Sequence, residues 1–253
     1  MTGASRGVGR GVAISLGAAG YTVFATARKI AGAFLPESIV PIPCDHLDDS
    51  QTAAAVARAA SASGTIDVLV NSAWGGYERM VEDGQFTWSR PFWEQPLHRW
   101  TGMMDAGVRA AFVTSAFAAR SMVAAGRGLI VNISFWPAQK YIGNVLYGIA
   151  KAATDKMTRD MAIELLPRGV TVVSLYPGLV RTEAVLEAAK GGWLDLSNSE
   201  SPEFIGRVIA AMADAPELAS YSGRAVVAAQ FAQRLDIADI DGRRPKPLTL
   251  DTV

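Results

Sequence analysis

Short apolar runs rich in β-branched residues alternate along this chain with longer alanine-rich stretches at helical spacing. A strand that is apolar on both faces must be covered on both, so the alternation predicts an α/β domain, a doubly wound parallel sheet with helices on either side. The predicted strands are 21–25, 40–43, 68–70, 129–133, 170–175 and 223–228, and the predicted helices are 9–18, 49–62, 100–124, 146–165 and 202–213. Half of the 253 residues are hydrophobic, enough for one large core, and no repeat or low-complexity tract divides the chain. Residues 1–253 are therefore read as a single domain.

Lysine plus arginine and aspartate plus glutamate number 24 each, so no basic excess favours nucleic acid or an anionic membrane, and a small molecule is the expected partner. One cysteine, Cys44, excludes an internal disulfide, and with only His46 and His98 beside it no metal is expected. No apolar run approaches the roughly 20 residues that span a bilayer, and the N-terminus lacks a signal-peptide pattern; the expected location is cytoplasmic.

Four features point to chemistry. The run Thr2-Gly3-Ala4-Ser5-Arg6-Gly7-Val8-Gly9 places three glycines where a helix begins, so backbone N–H groups and the positive helix end can approach a pyrophosphate; glycine-rich turns also arise for conformational reasons alone. The first predicted strand, 21–25, runs out into Ala27 and Arg28 with no carboxylate for a ribose 2′-hydroxyl, and Arg28 with Arg6 suits a 2′-phosphate, which favours NADP(H). Tyr147 and Lys151 are four residues apart on one helical face, where an ammonium is expected to lower the pKa of a phenol and fit it for proton transfer. Ser134 follows an apolar strand at the end where open α/β sheets bind ligands, in reach of a carbonyl oxygen, or else as an ordinary turn residue.

Together the motifs resemble those of the short-chain dehydrogenase/reductase family. Thr2-Gly3-x-x-x-Gly7-x-Gly9, Cys44-Asp45, Asn71-Ser72-Ala73, Ser134, Tyr147-x-x-x-Lys151 and Pro177-Gly178-x-Val180-x-Thr182 follow in family order over nearly the whole chain. A narrower likeness to one subgroup lies in Phe92-Trp93-Glu94-Gln95-Pro96, Val108-Arg109-Ala110-Ala111-Phe112, Ser201-Pro202-Glu203-Phe204-Ile205-Gly206-Arg207 and Asp239-Ile240-Asp241-Gly242-Arg243. The resemblance implies a Rossmann-type fold and hydride transfer between NADP(H) and a carbonyl or secondary alcohol. In it Tyr147 is the acid/base, Lys151 lowers its pKa and holds the nicotinamide ribose, and Ser134 positions the substrate oxygen. Gly3, Ser5, Arg6, Gly7, Val8, Gly9 and Arg28 bind the phosphates, and Asp45 meets the adenine. Asn71 and Ala73 line the groove, the backbone of Val180 and the hydroxyl of Thr182 face the carboxamide, and Pro177 and Gly178 also belong to the cofactor site. Helices 108–124 and 146–165 resemble those through which family members pair, which implies a homodimer or homotetramer.

Three departures stand out. Met1 immediately precedes Thr2, so the apolar strand that the family places before the glycines has no sequence, and a start several codons upstream is expected. Residues 29–38 are short for a helical crossover. Gly107 stands where the family usually carries an asparagine that supports the lysine through water. These departures motivate an alternative, a catalytically impaired nucleotide-binding sensor or scaffold. The aromatics between Trp74 and Trp100, namely Tyr77, Phe86, Trp88, Phe92 and Trp93, are expected to border an apolar substrate pocket or to cap sheet edges.

Overall fold

Parallel pairing begins at Val23. Tyr21 donates its N–H to Leu16 O and so closes the turn after α1 (Gly7–Ala18), leaving β1 as Val23–Ala27 rather than 21–25. β1 pairs with β2 (Ile39–Pro43), Val23 facing Ile39 and Ala27 facing Pro43. On the other side β3 (Val68–Asn71), β4 (Gly128–Ile133), β5 (Val170–Tyr176) and β6 (Ala225–Val227) are all parallel, in that spatial order. This is a computed structural model, and it describes residues 1–192 and 194–253.

Two residues join the halves of the sheet. Thr2 pairs with Thr26 of β1 and donates its N–H to Val70 O of β3 at 3.0 Å, while Thr26 N–H donates to Met1 O at 2.9 Å. Met1 and Thr2 thus lie between β1 and β3 in the sheet. From α1 the chain passes to β1 and β2 on one side of Thr2, and α2 (Asp49–Ser63) then returns it to β3 on the other, so the topological switch point lies at Thr2.

The faces of the sheet follow the period of two in the strands. Val131, Val173 and Leu175 point into a core with α1 and α6 (Pro202–Ala213), whereas Ile130 and Val172 point the other way, against α3 (Ala110–Ala125) and α4 (Val145–Leu165). Each fully buried aliphatic side chain contributes about 1.5–3 kcal/mol. Beneath the strand ends a buried polar ladder crosses the sheet. Asn71 Nδ2 donates to Ser115 Oγ and Asn132 Oδ1, Asn132 Nδ2 donates to Thr158 Oγ1, and Ser174 Oγ donates to the same Thr158 oxygen, each at 2.9 Å.

Three elements differ from expectation. Residues 183–201, read as a polar stretch, contain α5 (Glu183–Ala189), started by the Thr182 hydroxyl accepting the Val185 N–H. The predicted last strand is cut to Ala225–Val227, because Gly223 is in a turn at φ +79° and α7 (Ala228–Arg234) begins immediately. The helix predicted over 100–124 reaches α3 through a single turn, His98–Trp100, and then a wide π-helical stretch, Thr101–Arg109. Between β1 and β2 only one 3₁₀ turn, Ile30–Gly32, remains of a crossover helix. Among the described residues no helix is long and apolar enough to cross a membrane.

Candidate active site

The ends of β1, β3 and β4 meet at the switch point. Thr2 Oγ1 accepts the N–H groups of Ser72 and Ala73 at 3.0 and 3.1 Å, which ties the start of the glycine motif to the end of β3. Gly3 is at φ +67°, and a Cβ there would lie 2.7 Å from Ser72 O; a Cβ on Gly9 would overlap Gly3 O. No side chain fits either position, and the backbone is left bare at the head of α1. Thr182 arrives from the far end of the sequence, its Cγ2 3.4 Å from where a Gly7 Cβ would be. Asp45 follows the end of β2 and accepts the Leu47 N–H. Val180 is buried in a short pairing of Leu179–Val180 with Ser199–Glu200, and Gly178 N–H donates to Glu200 Oε2 at 2.8 Å.

Two carboxylates of the chain itself show that this end attracts anions. Glu183 Oε2 accepts the Gly7 N–H at 2.9 Å at the positive end of α1. Glu78 Oε1 receives Arg6 NH2 at 3.1 Å and Arg28 NH2 at 3.0 Å, so the two guanidiniums converge on one oxygen. The bare backbone cradle and the paired guanidiniums suit the phosphates of a dinucleotide. Sequence reasoning missed both acids, which reach these groups from 176, 72 and 50 residues away and carry no local signal.

Tyr147 and Lys151 are positioned by α4. Asn144 caps the helix by accepting the Tyr147 N–H at 3.0 Å, and its Nδ2 donates to Trp88 O at 2.9 Å, which fastens the aromatic segment over the first turn. Tyr147 lies among Trp74, Tyr77 and Trp88, with ring centroids 5.8, 6.0 and 5.2 Å away, and its hydroxyl is 2.8 Å from that of Tyr77. Lys151 Nζ donates to Ile133 O at 3.1 Å and sits 4.3 Å from the centroid of the Trp74 ring. The expected lowering of the phenol's pKa is corrected here: burial, and then the Tyr77 hydroxyl, push Tyr147 well above the usual range. Lys151, 5.8 Å from the Tyr147 ring centroid, is itself held down at about 8 by burial.

Ser134 is buried behind these groups. Its Oγ faces Lys151 O at a long 3.5 Å, and its N–H donates to Leu175 O. The glycine turn, whose Gly3 lies against Ala73, is thus linked to Tyr147 and Lys151 through the adjoining Trp74, and the Ser134 hydroxyl is turned towards the Lys151 carbonyl; Phe135, the next residue, packs in the cluster around Tyr147. Of the expected aromatic border, Trp74, Trp88 and the half-exposed ring of Tyr77 surround Tyr147, while Phe86 and the paired rings of Phe92 and Trp93 are exposed.

A glycine-headed helix at the switch point of a parallel sheet, with a tyrosine and a lysine one turn apart beside it, defines a dinucleotide-dependent oxidoreductase of the α/β class. The model for short chain dehydrogenases matches residues 1–191. Dehydrogenase/reductase SDR family member 1 of Mus musculus is 37% identical, over 97% of this chain and 84% of that one. A putative short-chain alcohol dehydrogenase from Sinorhizobium meliloti superposes with a TM-score of 0.71 at 26% identity, covering 90% of this chain and 92% of the other. A structure of ElxO with NADP bound superposes with a TM-score of 0.74 at 22% identity, covering 89% and 94%. The chain belongs to the short-chain dehydrogenase/reductase family and has its Rossmann-type fold. It is an oxidoreductase of carbonyl and alcohol groups.

Proposed function

We propose that this chain interconverts a carbonyl and a secondary alcohol on a small apolar substrate with NADP(H). The observation that carries the reading is the convergence of Arg6 and Arg28 on one Glu78 oxygen. Two guanidiniums beyond β1, which itself carries no acid, favour a 2′-phosphate over a bare ribose diol. Gly3, Ser5, Gly7, Val8 and Gly9 would hold the pyrophosphate, Asp45 the adenine, Asn71 and Ala73 the groove, and Pro177, Gly178, Val180 and Thr182 the carboxamide end. When bound, the dinucleotide supplies the hydride.

Tyr147 delivers its phenolic proton to the carbonyl oxygen. Burial keeps that phenol protonated through neutral pH, which loads it for the reductive direction. Lys151, fixed on Ile133 O, supplies positive charge beside the phenol as negative charge develops. Ser134 adds a hydrogen bond to the substrate oxygen once its hydroxyl turns from the Lys151 carbonyl. The apolar wall of Trp74, Trp88 and Phe135 suits an apolar substrate. The outer faces of α3 and α4 expose Phe112, Ile149 and Ile163, and we read them as the contact of a homodimer or homotetramer; a monomer mass by light scattering at micromolar concentration would remove this part.

Fluorescence titration with NADPH and NADH tests the cofactor. The expected result is tighter NADPH binding and loss of the preference in Arg6→Ala and Arg28→Ala; equal affinity for both would overturn it. The Ser134 hydroxyl, bonded away from Tyr147, favours a second reading, binding without turnover. NADPH oxidation with a panel of apolar ketones, using Tyr147→Phe as control, separates the two.

A further inference from the structure

Lys151 is buried, yet its ammonium has few partners. Nζ donates to Ile133 O, and the acid nearest along its own helix, Asp155, accepts the Tyr176 phenol. The other titratable groups around it are the phenols of buried Tyr147 and of Tyr77, both raised and so neutral at physiological pH. The remaining face of the ammonium is covered by the Trp74 indole, 4.3 Å to the ring centroid, inside the range of a cation–π contact.

The indole is seated by an absent side chain. A Cβ at Gly107 would lie 2.7 Å from Cε3 and Cζ3 of Trp74, so only glycine admits the ring at that depth. Gly107 belongs to the π-helical stretch Thr101–Arg109, and Gly75 N–H donates to Gly102 O of the same stretch at 3.0 Å, which fixes the backbone next to Trp74. No hydrogen bond orients the ring: Trp74 Nε1 is buried without an acceptor among the described residues. Its position is set by contacts of its faces and edges alone, against Gly76, Gly107, Lys151, and the rings of Tyr77 and Tyr147.

We propose that Trp74 is the positioning residue of Lys151, its indole occupying the room that Gly107 leaves and holding the ammonium at Ile133 O beside Tyr147. The glycine is then the complement of the tryptophan rather than a lost function. The proposal deepens the reading of Lys151 as an active-site group, and it is tested without turnover.

The experiment is carbon-13 NMR of the protein labelled at lysine Cε. The chain has six lysines, and the Lys151 signal is the one missing from Lys151→Arg. Removing the aromatic face in Trp74→Leu is expected to lower the Lys151 titration midpoint by about half a unit to one and a half units. Gly107→Ala, which displaces the indole without touching the lysine, is expected to shift it in the same direction, and Trp74→Phe to restore most of the loss. An unchanged midpoint in Trp74→Leu or Gly107→Ala, or one raised as relief of burial alone would raise it, with the circular dichroism of the parent, would overturn the proposal. Should Trp74→Leu not fold, Gly107→Ala and Trp74→Phe decide the matter by the same midpoint. A chain that shows the shift and yet turns over no carbonyl would overturn the proposed reaction and leave the positioning role standing.

Discussion

The hydroxyl of Tyr77 lies 2.8 Å from the hydroxyl of Tyr147, so the group assigned to proton transfer is bonded to another side chain of the same protein. In the proposed reaction a substrate oxygen has to replace the Tyr77 hydroxyl at that of Tyr147. Because this bond and burial both keep Tyr147 protonated, Tyr77→Phe lowers its pKa. Reduction needs the protonated phenol, so activity is lost as pH rises through that value. The alkaline limb of kcat/KM is therefore expected to move to lower pH by up to about one unit, the equivalent of one hydrogen bond. An alkaline limb that stays in place would separate Tyr77 from the titrating group.

Glu78 competes with any anion for Arg6 and Arg28. Glu78→Gln removes the competitor and leaves the guanidiniums, so NADPH is expected to bind more tightly. The ion pairs are partly exposed and screened, which limits the gain to about fivefold, fading as salt is raised. NADH affinity should not change. Parallel titrations of the two nucleotides at low and high salt check this, and an equal gain for both would assign Glu78 to the pyrophosphate instead.

Burial holds the His46 imidazole, 2.7 Å from Thr26 Oγ1, at about 4, and raises the Glu200 carboxyl to about 7. The signs oppose each other. A histidine depressed from 6.5 favours the fold fully above 6.5 and loses that contribution as pH falls toward 4. A carboxyl raised from 4.5 favours the fold fully below 4.5 and loses that contribution as pH rises through 7. In the parent the two nearly cancel across this window. Glu200→Gln keeps an oxygen for the Gly178 N–H and removes one side of the balance, so stability to urea should fall on acidification by roughly 3 kcal/mol between pH 7 and pH 4. A variant whose stability stays level over that range would mean that His46 is not buried as described.

Gly9→Ala forces a methyl group into Gly3 O. The turn must open to admit it, at a cost of about 1–3 kcal/mol. Both nucleotides should then bind at least tenfold more weakly while the far half of the sheet, β4 to β6, keeps its hydrogen-exchange protection. Retained binding would place the nucleotide away from the glycine turn.

Much of this was open to reading in the residues. The parallel strands were legible because Val170–Tyr176 and Gly128–Ile133 are apolar on both faces, and their ends fell within a residue or two of expectation. That Tyr147 and Lys151 share one face of a helix was legible from their spacing, and α4 carries them there. Glu78 and Glu183 were not, because an acid that meets its partner only after folding leaves no periodic trace. The π-helical turns look like any alanine- and methionine-bearing helix in sequence. Trp74 had a faint signal, a large aromatic directly after Asn71-Ser72-Ala73, but its pairing with Gly107 is visible only in three dimensions. The orientation of the Ser134 hydroxyl, towards Lys151 rather than Tyr147, likewise depends on which face of the strand end each residue takes.

The ladder of Asn71, Asn132, Thr158 and Ser174 has a consequence for how the chain finds this arrangement. Parallel apolar strands offer little to tell one register from the next, since valine beside isoleucine packs much like isoleucine beside valine. A slip of β4 by one residue would carry Asn132 to the other face, among Val12, Phe204 and Ile205, where its amide has no partner, at about 1–3 kcal/mol, and would take one hydrogen bond each from Asn71 and Thr158, which keep Ser115 and Ser174. Wrong alignments are thereby made expensive before any ligand is present. The chain carries its own proofreading, and the strand ends that bear Ala73 and Ser134 come to rest level with one another because of it.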